Sequence, residues 1–282
     1  MTSGPTVREC GPGEVSGVPP PRLWVCPEVG RTPNPVEGAA GWWSVGAGAT
    51  LADMGMQDPT MSDDDHGADR FLDRRLAMVR TQLADRGIHD PEVLRAMAEV
   101  PREAFVPDEL RPRAYEDRPL PIGFDQTISQ PYVVAVMVEA LSLEPHHVVL
   151  EIGAGSGYAA AVMSRIASQV HAIERIGELA RRARERARAL GYENLEIRHG
   201  DGLGGWPQRG PFDAILISAA GARVPEPVRQ QLVIGGRLLV PVATTPFEQQ
   251  LKLLIRSDQS IFEEHPLGPV RFVPLLEGTV RS

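Results

Sequence analysis

Three short stretches combine residue types that do chemistry together. The first is PIGFDQTISQP, residues 121–131, where Thr127 and Ser129 stand just ahead of an apolar, helix-like run. The second is LEIGAGSGY, where Glu151 precedes Gly153, Gly155 and Gly157. The third is a pair of later acids: Glu174, and Asp201 between Gly200 and Gly202. Glycines let a backbone approach a ligand closely. An acid that ends the next strand can accept hydrogen bonds from two ribose hydroxyls. Asp201 is placed to accept one from an adenine amino group. The ligand could be a dinucleotide or S-adenosylmethionine. The dinucleotide pattern G-x-G-x-x-G requires glycine where Tyr158 stands. Glu151, just before the loop, suits a cationic sulfonium or an amino group better than a pyrophosphate. The plainer alternative is a tight turn beside a solvated Glu174. The hydroxyl stretch is also open to two readings. Ser129 caps a helix starting near Pro131, or Thr127 and Ser129 line a site.

The elements that would position these residues follow from periodicity. His147 to Ile152 is an apolar, β-branched run and reads as a central strand. Tyr158 to Ala167 reads as a helix, and Val170 to Ile173 as a second strand ending in Glu174. A strand–loop–helix–strand unit predicts parallel strands with a right-handed crossover. LEIRH, PFDAILI and GGRLLVPV continue the series, and Phe212 to Ile217 leads directly to Ser218. LKLLIR and VRFVPL read as two further strands. Ligands gather at the carboxyl ends of such strands, so the loops should share one crevice. Ahead of the unit, Leu72, Leu76, Val79 and Leu83 predict a helix face that stops at Gly87. Asp90-Pro91 predicts a capped second helix, with Val93, Leu94 and Met97 inside and Pro101 at its end. YVVAVMVEALSL reads as a helix buried on most sides and broken at Glu144-Pro145. Leu179, Ala183, Ala187 and Leu190 mark another helix face, with the surrounding arginines read as its solvated side.

Composition narrows the class. A net charge of −8 and a pI near 5.4 argue against nucleic acid or an anionic membrane as partner. Cys10 and Cys26 lack neighbours at metal-ligand spacing, so no metal site is expected. The absence of cysteine after Cys26 suits a reducing, cytoplasmic setting. Residues 1–60 hold 10 Gly and 9 Pro and read as a disordered extension, with the folded domain expected over 61–282. Met54, Met56 and Met61 are each possible starts. Gly38 to Ala52 is uncharged but spans only 15 residues, fewer than the roughly 20 of a membrane span.

From about Met78 to its end the chain resembles the protein-L-isoaspartate (D-aspartate) O-methyltransferase family. The stretches that carry the likeness are VPREAFVP, AYEDRPLPIGFDQTISQPYVVA, VLEIGAGSGYAAAV, GDGLGGWP, PFDAILISAA, GGRLLVPV and VRFVPLLEG. Asp125 departs from the small or uncharged residue common there and adds a charge near the site. The resemblance implies an α/β fold: a doubly wound, mostly parallel sheet of the class I S-adenosylmethionine-dependent type, with N-terminal helices and C-terminal edge strands. It implies S-adenosylmethionine as methyl donor, held by Glu151, Gly153, Gly155, Gly157, Glu174, Asp201 and Gly202. It implies isoaspartyl proteins and peptides as substrates, methylated on the free α-carboxyl by a monomeric enzyme, with repair through a succinimide. Ser129 would orient that carboxylate, and Thr127, Ile128, Ser218, Phe272 and Val273 would face the substrate. The alternatives are one dedicated partner peptide as substrate, a nicotinamide-dependent oxidoreductase, and a non-catalytic module that still holds S-adenosylmethionine.

Overall fold

The computed structural model describes residues 66–281, with side chains from Arg70 onward. The expectations for residues 1–60, and for starts at Met54, Met56 and Met61, lie outside these residues. Three helices come first: α1 (His66–Met78), α2 (Pro91–Glu99) and α3 (Pro131–Leu141), with a hairpin of β1 (Leu120–Gly123) and β2 (Gln126–Ile128) before the third. The alternating unit follows: β3 (Val148–Ile152), α4 (Tyr158–Ser164), β4 (Gln169–Glu174), α5 (Gly177–Ala189), β5 (Leu195–His199) and β6 (Phe212–Ile217). Then come α6 (Glu226–Arg229), β7 (Leu232–Ala243), β8 (Gln249–Arg256) and β9 (Phe262–Val270).

The main sheet has the order β5-β4-β3-β6-β7-β8-β9. Strands β5, β4, β3, β6 and β7 pair in parallel, and β8 and β9 add an antiparallel edge. The chain runs outward from β3 through β4 to β5, then returns to place β6 on the other side of β3. That reversal is the topological switch, and it opens a crevice at the carboxyl ends of β3 and β6. Side chains alternate across the sheet with a period of two. Val149, Ala214, Leu216 and Leu239 join the core shared with α2, α3, α4 and α5, while Leu150, Ile152, Ile215 and Ile217 join a second core with Trp206 and Val228. The fold is thus the doubly wound, mostly parallel sheet with N-terminal helices and C-terminal edge strands.

Three expectations need correction. In α1, Leu72 and Leu76 are exposed, and the buried residues are Met78 and Leu83. These two are five apart because Val79–Leu83 forms a π-helical turn, whose wider i→i+5 repeat rotates the helix face. Helix α3 ends at Leu141, before Glu144-Pro145, on a left-handed Ser142 (φ 47°). The last strand is Phe262–Val270, not VRFVPL. Beyond it, Pro274 bridges to Ala220, and the Phe272 backbone is held by the Gln249 side chain.

Asp90 caps α2 as expected, its carboxylate accepting from Glu92 N at 2.8 Å and Val93 N at 3.3 Å. Asp90→Ala leaves both amides without that acceptor and should cost about 1 kcal/mol. A lower urea midpoint with unchanged slope is the expected result, and an unchanged midpoint contradicts it.

Candidate active site

At the carboxyl end of β3 the chain turns through Gly153 (φ 88°), Gly155 (φ 53°) and Gly157 (φ 86°). All three lie in the left-handed region, where a side chain would be strained. A hydrogen-bond frame holds the loop. Gly155 N donates to Glu174 Oε2 at 2.8 Å, and Ile176 N donates to Oε1 of the same carboxylate at 2.9 Å. Arg186 Nη1 donates to Ser156 O at 2.8 Å. A Cβ on Gly157 would lie 3.3 Å from Ala183 Cβ, so this glycine permits the close approach of α5. Tyr158, where a dinucleotide site has its third glycine, is buried instead, edge-on to Phe105 with ring centroids 5.4 Å apart. Burial pushes its hydroxyl up to about 12.

The loop forms one wall of a cavity. Glu151, Gly153, Gly155 and Ser218 line it from the sheet side, and Thr127, Ile128 and Ser129 line it from the segment between β2 and α3. Seven of the residues expected at a site therefore meet in one space. Glu151 is fully buried, and Ser218 Oγ donates to its Oε1 at 2.8 Å. Its Oε2 is buried without a hydrogen-bond partner. Burial pushes this carboxyl up to about 8, helped by the charge of Glu174, while the Ser218 hydroxyl and the Ala160 amide pull it back. Burial thus favours the neutral form of this carboxyl.

Ser129 is not a helix cap. The cap position of α3 belongs to Gln130, with Pro131 as first helical residue, and no side chain caps the helix. The Ser129 carbonyl accepts from Arg102 Nη2 at 2.7 Å. Arg102 is itself fully buried, donates through Nε to Ala114 O at 2.7 Å, and lies with its Cζ 4.9 Å from the Tyr158 ring centroid. The serine hydroxyl is thus left to the cavity. Asp125 sits with Phe124 at the tip of the β1–β2 hairpin, both at φ 55°. Aspartate tolerates that conformation better than most residues, which accounts for its presence there.

The other expected residues surround the cavity without lining it. Glu174 reaches it through Gly155 N. Asp201 accepts from Leu203 N at 2.8 Å and from Gly278 N at 2.7 Å, so it ties the turn after β5 to the C-terminal segment. A Cβ on Gly202 would fall 2.3 Å from Ile152 Cγ2. Phe272 and Val273 do not line the cavity; the nearest link is Ala220 N, two residues after Ser218, which donates to Val273 O at 2.8 Å. Arg102 and Arg186 are functional residues that the sequence does not single out: Arg102 lies unremarked in VPREAFVP, and Arg186 falls among the α5 arginines that read as a solvated face. For α5 the bland reading holds for Arg181 and Arg182, which pair with Glu178. Arg186 is different: it lies seven residues from Leu179 and three from Ala183, on the buried face, and this spacing could have revealed it.

Residues 74–280 match the family model described as Protein-L-isoaspartate(D-aspartate) O-methyltransferase. A Pelobacter propionicus protein-L-isoaspartate O-methyltransferase 2 is 54% identical over 203 residues, covering 72% of this chain and 90% of that protein. A Methylorubrum extorquens protein-L-isoaspartate O-methyltransferase is 56% identical over 204 residues, covering 72% and 89%. Among solved structures, a protein-L-isoaspartate O-methyltransferase superposes with a TM-score of 0.64 at 30% identity, covering 72% of this chain and 65% of that one. A Plasmodium falciparum protein-L-isoaspartate O-methyltransferase solved with S-adenosyl-L-homocysteine shares the fold, with a TM-score of 0.62 at 24% identity over 72% of this chain and 98% of that one.

The Gly202 contact yields a controlled test. Gly202→Ala forces a methyl into the buried Ile152 and should destabilise by about 1 to 3 kcal/mol, the usual cost of overpacking. Gly204→Ala meets nothing within 4 Å and serves as the neutral control. Equal urea midpoints for the two variants would contradict the close packing of this turn on β3.

Proposed function

The chain belongs to the protein-L-isoaspartate (D-aspartate) O-methyltransferase family, and from that premise we propose its reaction. It transfers a methyl group from S-adenosylmethionine to the free α-carboxylate of L-isoaspartyl residues, and of D-aspartyl residues, in damaged proteins. The ester then collapses to a succinimide, and repair begins. The observation that carries this reading is that the hydroxyl segment Thr127–Ser129 and the glycine loop line one cavity.

The residues present fit the methyl donor. Glu151 Oε2 is a buried oxygen without a partner, next to a loop whose glycines leave room for a close ligand. Glu151, Gly153, Gly155 and Gly157 would hold the methionine part, Glu174 the ribose, and Asp201 with Gly202 the adenine. When bound, S-adenosylmethionine supplies a methyl group already activated by the sulfonium charge. The substrate carboxylate has an ordinary pKa near 4 and is already ionised at neutral pH. No general base is required, and the work of the protein is to orient the carboxylate and strip its water. Ser129 donates a hydrogen bond that aims the carboxylate, with Arg102 fixing its backbone from behind. Thr127, Ile128 and Ser218 complete the substrate side, and Phe272 and Val273 form the wall along the substrate backbone.

Residues 61–282 act as the methyltransferase domain, a reading supported by the family match over 74–280. No helix among the described residues is long and apolar enough to cross a membrane. We place the reaction in the cytoplasm, carried out by a monomer on polypeptides and not on nucleic acid, in line with the net charge of −8. A methyl-transfer assay with an isoaspartyl peptide beside its normal aspartyl twin tests the whole reading. Methylation of the isoaspartyl peptide alone is expected, and equal or absent methylation of the two overturns it.

Two finer outcomes are expected. Ser129→Ala should lower the methylation rate by about one to three orders of magnitude, the loss of one positioned hydrogen bond in a water-excluded site. Its unfolding free energy should change by less than about 0.5 kcal/mol, because the side chain caps no helix. Full turnover in this variant would end the assignment. The second outcome concerns protons. Glu151, pushed up to about 8, is mainly protonated at pH 7. A cationic ligand beside Oε2 favours the ionised form, so donor binding should release a proton and tighten from pH 6 to pH 7.5. Calorimetry at pH 7 in two buffers of different ionisation enthalpy should give different apparent binding enthalpies, and Glu151→Gln should abolish the difference. Identical enthalpies in the wild-type protein would remove Glu151 from the donor site.

A further inference from the structure

The chain has seven phenylalanines, and only Phe124 and Phe247 are exposed, at 42% and 93%. Phe124 has company: the Arg182 guanidinium lies 5.9 Å from its ring. Phe247 has no aromatic or guanidinium neighbour among the described residues. It stands at the tip of the β7–β8 hairpin, in the connection between the last strand pair, Ala243 and Gln249.

Three features separate Phe247 from an ordinary stray surface hydrophobe. The first is its place. Strand β7 runs parallel to β6, so its hairpin rises at the same edge of the sheet as Ser218. Ala243 N donates to Gly221 O at 2.9 Å, three residues beyond Ser218, at the base of that hairpin. The second is the rigidity of the support. Thr245 Oγ1 accepts from Phe247 N at 3.3 Å and from Glu248 N at 3.1 Å, and Thr244 N donates to Glu248 O at 2.9 Å. The third is its link to Phe272. Gln249, the residue that begins β8, donates through Nε2 to Phe272 O at 3.0 Å and accepts from Phe272 N at 2.6 Å. An aromatic ring is thus held out into solvent on a braced loop tied to the Phe272 backbone.

Resting on the reading that the substrate is a polypeptide, we propose that Phe247 is a specificity-determining contact for apolar side chains flanking the isoaspartyl residue. Such a chain cannot end at the cavity mouth; it continues over the rim in both directions. Six extended residues cover about 20 Å, enough to bring a neighbouring side chain over the hairpin. A rigid aromatic anchor loses little conformational freedom on contact, and polar neighbours such as Thr244, Thr245 and Glu248 suit the rim of such a contact.

The test uses two isoaspartyl dodecapeptides. One carries only Gly and Ser around the isoaspartyl residue; the other carries Leu at three flanking positions on each side. The full chain should prefer the Leu peptide about tenfold in kcat/KM, mainly through KM, a size typical for one good anchor. Phe247→Ser should bring that ratio close to one, and Phe247→Tyr should keep it. Thermal midpoints should match, since the ring packs on nothing. An equal preference in the wild-type protein and Phe247→Ser, or no preference in either, overturns the inference alone. A concentration-dependent sedimentation coefficient in the wild-type protein that Phe247→Ser removes assigns the ring to self-association and also overturns it. A wild-type protein that methylates neither peptide overturns the proposed function, and this inference with it.

Discussion

The Glu174 carboxylate is the contact on which the site depends. It is buried, and each of its oxygens accepts a backbone N–H, one from Gly155 and one from Ile176. Three left-handed glycines within five residues would otherwise leave the loop costly to order. The charge-assisted bonds fix the loop against the end of the neighbouring strand. With Gly155 in place, a Cβ there would come 3.3 Å from Ile122 Cδ1, so the β1–β2 hairpin can lean directly on the loop. That hairpin leads into Thr127 and Ser129. The two walls of the cavity are therefore coupled through one carboxylate and one glycine.

Two guanidinium groups, one buried and one half-buried, secure the same walls from behind. Arg102 holds the Ser129 carbonyl and Arg186 the Ser156 carbonyl. In both, burial pulls the guanidinium pKa down from its ordinary value. Taking such a charge out of water is costly unless its donors are used. The carbonyls they engage gain a strong, directional partner. In each loop one carbonyl, of Ser129 or of Ser156, is thus drawn towards a guanidinium.

The sequence was most legible where local pattern and tertiary role agree. Phe212–Ile217 stands as read, and so does the order of the unit from Val148 to Glu174, whose helix ends at Ser164, three residues before Ala167; both combine β-branched runs with glycine punctuation. Legibility failed where packing overrode composition. Strand β9 carries Glu263, Glu264 and His265 and is an edge with no clean alternation, so its pattern was invisible and VRFVPL was taken in its place. Ser129 has the right type for a cap, but Pro131 fixes the helix start one residue too late for it. The fully buried Arg102 is hidden by its charge, since arginine is seldom fully buried without a partner, and for both Arg102 and Arg186 a carbonyl partner leaves no mark in a sequence. Family likeness, not residue chemistry, singled out Ser129 against its ordinary reading as a cap.

The ionisation of the cavity follows from the chemistry it serves. Of the residues that line it, only Glu151 and Tyr158 are ionisable, and burial pushes them up to about 8 and about 12. In both, burial favours the neutral form. A group poised as a base would gain nothing here, because a carboxylate nucleophile arrives already deprotonated. A charged Glu151 would repel it. A neutral Glu151 avoids that repulsion, and a cation beside it would favour the ionised form. The charge that would hinder the substrate thus arises together with the cation that neutralises it. An aspartate or glutamate in a polar, solvated position would not have its neutral form favoured in this way; on β3, inside the sheet, burial outweighs the Ser218 hydroxyl and the Ala160 amide.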